Sequence, residues 1–147
     1  MLDASWAERA RVLNRSGYAR VEERTSTMLG DVARLMTDRW RGDLRRLREE
    51  ASRDRDRIRV LLKELKGIGD VGADVFLREM QGIWPEVAPF ADMRARSGAR
   101  RLGLPTEAQA LSRPAPAADL TRLVVALMRS DLAGCTADRL VEQDCAA

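Results

Sequence analysis

Leu61-Leu-Lys-Glu-Leu-Lys-Gly-Ile-Gly-Asp-Val-Gly-Ala-Asp-Val-Phe-Leu77 decides how this chain is read. With Ile58 before it, the stretch opens on an apolar ladder, Ile58, Leu61, Leu62 and Leu65, at one-face helical spacing. A second ladder follows: Ala73, Phe76, Leu77 and Met80. Between them lie Gly67-Ile-Gly69, so two helices are joined by a very short turn. Gly67 and Gly69 tolerate positive φ without steric cost and let another backbone come close. Ile68 is the apolar plug between them, and the Asp70 carboxylate is placed to cap the second helix.

Such a helix-hairpin-helix, expected over about residues 57–82, presents backbone N–H groups and a helix N-terminus, a combination suited to phosphate. Gly67, Gly69 and Gly72 also spell G-x-G-x-x-G. The dinucleotide fingerprint needs a strand before the first glycine. Here a helix precedes it, which argues against that reading.

The rest of the chain follows the same period. Helices are expected over residues 3–15, from Glu22 to Trp40 with Thr25, Met28, Leu29, Val32, Leu35 and Met36 inward, and from Leu44 to Ala51 behind an Asp43 cap. Gly42 is the expected stop for the long one. Pro85 and Pro89 make Glu86 to Ala91 extended. Asp92 opens a helix to about Leu102, closed by Gly103 and Pro105. A short helix covers 106–111. Leu120, Leu123, Val124 and Leu127 mark a last helix over about 117–132, and the tail 134–147 is expected to fray. The expectation is an all-α fold, with residues 1–147 as one domain.

The chain has 147 residues, 26 basic against 23 acidic, and no histidine. Lys63 and Lys66 are its only lysines; an Arg-rich surface suits phosphate contact, and coding bias produces the same composition. Nine arginines between Arg39 and Arg59 read mostly as a solvated face with ion pairs. No apolar run approaches a membrane span. Two cysteines, Cys135 and Cys145, make neither a disulfide scaffold nor a zinc site. With no leader visible, a cytoplasmic protein with reduced thiols is expected, with no membrane partner and no metal site.

Leu65-Lys-Gly-Ile-Gly-Asp-Val-Gly-Ala73 resembles the hairpin of the helix-hairpin-helix DNA glycosylases, the endonuclease III superfamily. Trp84-Pro-Glu-Val-Ala-Pro-Phe-Ala-Asp92 resembles the segment that leads to that family's catalytic aspartate, and Arg101-Leu-Gly-Leu-Pro105 the close of the following helix. Ser16-Gly-Tyr18 and Gly42-Asp43-Leu44 extend the resemblance over about residues 16–105. It implies a glycosylase-like helical fold, double-stranded DNA as partner, Asp92 as the carboxylate that stabilises the sugar cation, and Lys66, Gly67, Gly69, Val71 and Gly72 at a DNA phosphate, with a cation bound by the hairpin backbone in some members. Arg94 and Arg96 are candidate DNA contacts.

Bifunctional members carry a lysine nucleophile two residues past the second glycine. Val71 occupies that position, so the resemblance is to the monofunctional type, without lyase chemistry. The cysteine set of the iron–sulfur members is absent, and no cofactor is expected. Trp6, Tyr18, Trp40, Trp84 and Phe90 are the aromatics open to stacking on a base. The alternatives to a base-excision enzyme are a non-catalytic helix-hairpin-helix DNA-binding module and a helical interaction protein whose hairpin is only a packing turn. For Asp92 the plain alternative is a helix cap.

Overall fold

The helical periodicities become helices in the computed structural model, which describes residues 4–18, 20–113 and 117–141. All regular structure among the described residues is helical, as expected. No described helix is long and apolar enough to cross a membrane. The backbone groups into two compact units, residues 1–70 and 71–147. The division falls inside the stretch quoted first.

In residues 1–70, α1 (Trp6–Arg15) begins on a full capping box: Ser5 accepts from the Glu8 N–H, and Glu8 reaches back to the Ser5 N–H. α2 (Glu22–Trp40) meets α1 through polar contacts. Ser26 Oγ donates to the Trp6 carbonyl at 2.9 Å, and Arg9 Nε to the Ser26 carbonyl at 3.2 Å. A Cβ on Gly30 would lie 2.7 Å from Arg9 Nη2, so this mid-helix glycine makes room for an arginine. The expected apolar face of α2 is only half-buried; Ser26, Gly30 and Trp40 are its buried residues.

The end of α2 departs from expectation by one residue. Arg41, not Gly42, is the first residue in the left-handed region, at φ 54°, and Gly42 follows at 74°. The Arg41 N–H donates to Thr37 and the Gly42 N–H to Met36, closing the last turn. A Cβ in that conformation is disfavoured by about 1 kcal/mol. Arg41→Gly is therefore expected to raise stability by about 1 kcal/mol in chemical denaturation; an unchanged midpoint would contradict the strain.

α3 (Leu44–Glu50) is capped by Asp43, as expected. α4 (Arg55–Lys63) is capped by Asp54 and buries Ile58, Leu61 and Leu62. With Leu65, Leu47 and Trp40, these are the core of this unit. Arg39 binds Glu50 at 2.5 Å, pairs with Glu64, and sits 4.9 Å over the Trp40 ring, whose Nε1 also donates to Glu50 at 2.7 Å.

In residues 71–147, α5 (Asp70–Met80) buries Ala73 and Leu77. Pro85–Val87 is a 3₁₀ turn where extended chain was expected, because the Ala88 N–H reaches back to the Pro85 carbonyl. α6 (Met93–Arg101) ends on Gly103 at φ 68°, as the sequence indicates. α7 (Ala108–Leu111) is a single turn. α8 (Ala117–Leu132) buries Leu120, Val124 and Leu127 against Ala91, Ala95 and Ala99.

The small residues of α6 decide this packing. A Cβ on Gly98 would lie 2.0 Å from the Leu127 carbonyl oxygen, so the two backbones nearly touch there. α9 (Ala137–Val141) follows; the expected fraying of residues 142–147 falls outside the described residues. Cys135 is buried and disulfide-bonded, which corrects the expectation of reduced thiols. The other cysteine of the chain, Cys145, lies outside the described residues.

Candidate functional site

Asp92 is held from two sides. As N-cap of α6 it accepts from the Ala95 N–H through Oδ1 at 2.8 Å. Its Oδ2 accepts from Arg78 Nη1 at 2.5 Å, and both side chains are only 7% exposed. The cap role foreseen for Asp92 is therefore present, and a buried ion pair accompanies it. Arg78 comes from α5, one step along the chain from the core residue Leu77, and its Nε donates to Glu79 at 3.1 Å. Gln81 fixes the segment that delivers Asp92. Its Nε2 donates to the Arg78 and Phe90 carbonyls, and its Oε1 accepts from the Phe90 N–H at 3.0 Å. Trp84, at the start of that segment, packs edge-on to Phe76 with ring centroids 5.5 Å apart.

Arg78 and Gln81 were not legible as site residues. Apolar periodicity marks Ala73, Leu77 and Met80 on α5, and it gives a charged residue beside that stripe no special weight.

The pair lies in a cavity of about 290 Å³. Val71, Val75, Met93, Met128 and Leu132 supply apolar walls, and Asp74 and Arg94 complete the lining. Val71 is 73% exposed and Met93 77%, so large apolar side chains stand in solvent around a buried charge pair. None of the aromatics considered for stacking lines this cavity.

Arg94 and Arg96 have partners within the protein. Arg94 reaches Asp131 Oδ2 at 3.3 Å, and Arg96 Nε donates to the Ala91 carbonyl at 2.9 Å. Asp131 also faces Arg101 at 3.5 Å. A hydrogen bond from Ser97, then the Arg94 and Arg101 charges, hold its carboxyl below the ordinary aspartate range. That contribution is present at neutral pH and is lost only as pH falls through the lowered pKa.

The glycine turn divides its roles. Gly67 has φ 94°, and a Cβ there would run into the Met28 methyl. Gly69 has ordinary backbone angles, and a Cβ added to it would meet nothing within 4 Å, so its open side faces solvent. Gly72 is exposed in the first turn of α5, and Ile68 is half-buried. Lys66 Nζ pairs with Asp31 at 2.8 Å. Asp70, expected as a cap, is the first residue of α5, and its Oδ1 takes Lys63 at 2.7 Å and Arg59 at 2.9 Å. The Lys63 hydrogen bond, then the Lys63 and Arg59 charges, lower the Asp70 pKa, and the Lys66 hydrogen bond does the same for Asp31. These pairs are exposed and individually weak. Among the described residues no His, Cys, Asp and Glu cluster is arranged for a metal ion.

No protein-family model, curated protein or solved structure matches the chain.

Proposed function

We propose that this protein binds double-stranded DNA as a monofunctional glycosylase of the helix-hairpin-helix type. The Gly67–Gly72 turn grips a phosphate, and the cavity at Asp92 receives an extruded nucleotide. One observation carries the reading: Val71 and Asp92 line a single cavity. The resemblance requires that meeting, because the position two past the second glycine and the aspartate both serve one reaction centre in the family. A base must leave the stack before its glycosidic bond can be reached, and it then needs a pocket. A carboxylate held in a water-poor site stabilises the cationic sugar that forms as the base departs.

A second reading is a non-catalytic DNA-binding module. It is favoured by the engagement of both Asp92 oxygens, one by Arg78 and one by the Ala95 N–H. Base release separates the two. Duplexes carrying alkylated, deaminated or oxidised bases should lose at least one of them. Borohydride should trap no adduct on an abasic duplex, since Val71 offers no amine. Binding without release from any duplex would move the assignment to the module, and a trapped adduct would remove the monofunctional reading.

A further inference from the structure

The Arg78–Asp92 pair is a dipole on the wall of an apolar cavity. Asp92 gives Oδ1 to the Ala95 N–H and Oδ2 to Arg78 Nη1. Arg78 uses Nε on Glu79 and Nη1 on Asp92, and Nη2 has no partner among the described residues. Arginine is always charged and donates through every nitrogen. The lining holds two aspartates, Asp74 and Asp92, and two arginines, Arg78 and Arg94, so its formal charges cancel. Its volume of about 290 Å³ is at the lower edge of small-molecule sites, roughly 300–1,000 Å³. The space suits one neutral ring system.

Cleavage of a neutral nucleoside separates charge: the sugar becomes cationic and the departing base anionic. A cationic alkylated base leaves as a neutral molecule and develops no negative charge. Resting on the glycosylase reading above, we infer that Arg78 stabilises the leaving base. The substrate class is then a neutral pyrimidine with a carbonyl next to its glycosidic nitrogen, of the uracil and thymine kind. The C1′–N1 bond breaks heterolytically and its electron pair goes to the base. Negative charge gathers on the carbonyl oxygen, which accepts from Arg78 Nη2. Asp92 faces the cationic sugar, water adds to C1′, and the proton of that water ends on the base. The protein dipole is thus complementary to the dipole of the transition state, and favourable only once charge has separated.

Full-length wild type and Arg78→Lys, which keeps a positive partner for Asp92, are compared on duplexes containing uracil, 5-fluorouracil or 7-methylguanine. Rate ratios are taken within each protein, so the fraction folded cancels. Arg78→Lys should slow uracil release by roughly 100-fold, the scale of losing one preorganised donor. The loss should be smaller for 5-fluorouracil, which leaves as a more stable anion, and smallest for any release of 7-methylguanine, where only the hold on Asp92 is disturbed. An equal loss on all three bases would show Arg78 to be structural and overturn the inference. Release confined to 7-methylguanine would overturn it while the glycosylase reading stands, and no release from any duplex would remove both.

Discussion

Asp92→Asn is expected to destabilise the protein by about 3 kcal/mol or more, although asparagine caps a helix as well as aspartate does. Considered as a cap alone, the change costs less than about 1 kcal/mol. The structure adds Arg78, 2.5 Å away and equally buried. Removing the negative partner leaves the buried guanidinium with only the half-exposed Glu79 carboxylate at 3.1 Å, and breaking a buried pair from one side typically costs about 3–5 kcal/mol. The ion-pair term therefore dominates the capping term. Arg78→Met should cost a similar amount, and the double variant should recover about 1–3 kcal/mol of the summed loss. Urea titrations of the three proteins measure this. Strict additivity would mean that the pair contributes no coupling. If the protein is an active glycosylase, Asp92→Asn, assayed well below its melting temperature, should also lose roughly 100-fold in base release. Equal activity would remove Asp92 as the catalytic carboxylate.

Gly98→Ala should lower the melting temperature by about 4–8 °C, the equivalent of about 2 kcal/mol for a chain of this size. Two effects oppose each other. Alanine is favoured over glycine in a helix interior by about 1 kcal/mol. The added methyl would stand 2.0 Å from the Leu127 carbonyl oxygen, which belongs to backbone and has no rotamer to escape into. α6 and α8 must then separate, uncovering Ala95, Val124 and Leu127, and overpacking of this kind costs about 3 kcal/mol. Gly69→Ala is the control: with open space around it, the change should stay within about 0.5 kcal/mol. Melts of both variants decide; a Gly98→Ala protein as stable as wild type would mean that the helices do not approach so closely.

The elements that the sequence made legible are those marked by apolar spacing or by a single capping residue. The ladder Ile58, Leu61, Leu62 and Leu65 is buried throughout, as are Leu120, Val124 and Leu127 of the last helix. Asp43, Asp92 and Gly103 begin or end helices where their chemistry says they should. Contacts made by small or polar residues stayed hidden. α6 reads as an arginine-rich helix, yet its packing is set by Ala95, Gly98 and Ala99, whose lack of bulk leaves no hydrophobic signal. On α2 the buried positions include Ser26 and Gly30, which no apolar pattern would select. The site was half legible. Asp92 stands out by its segment, whereas Arg78 and Gln81 act through partners 14 and 9 residues further on, brought near only by the turn after α5.

The proposed grip of the Gly67–Gly72 turn on DNA is tested most directly by fluorescence anisotropy of a labelled duplex titrated with wild type and Gly69→Val at several salt concentrations. Gly69 has ordinary backbone angles and open space on its Cβ side. Valine there should leave the fold intact while holding a phosphate away from the turn. Wild-type affinity should fall steeply with salt, because releasing counterions into a more concentrated solution gains less free energy. Gly69→Val should bind more weakly on every sequence, by roughly 1–3 kcal/mol for a lost set of charge-assisted hydrogen bonds. Equal affinities for the two proteins, or an affinity indifferent to salt, would contradict the account.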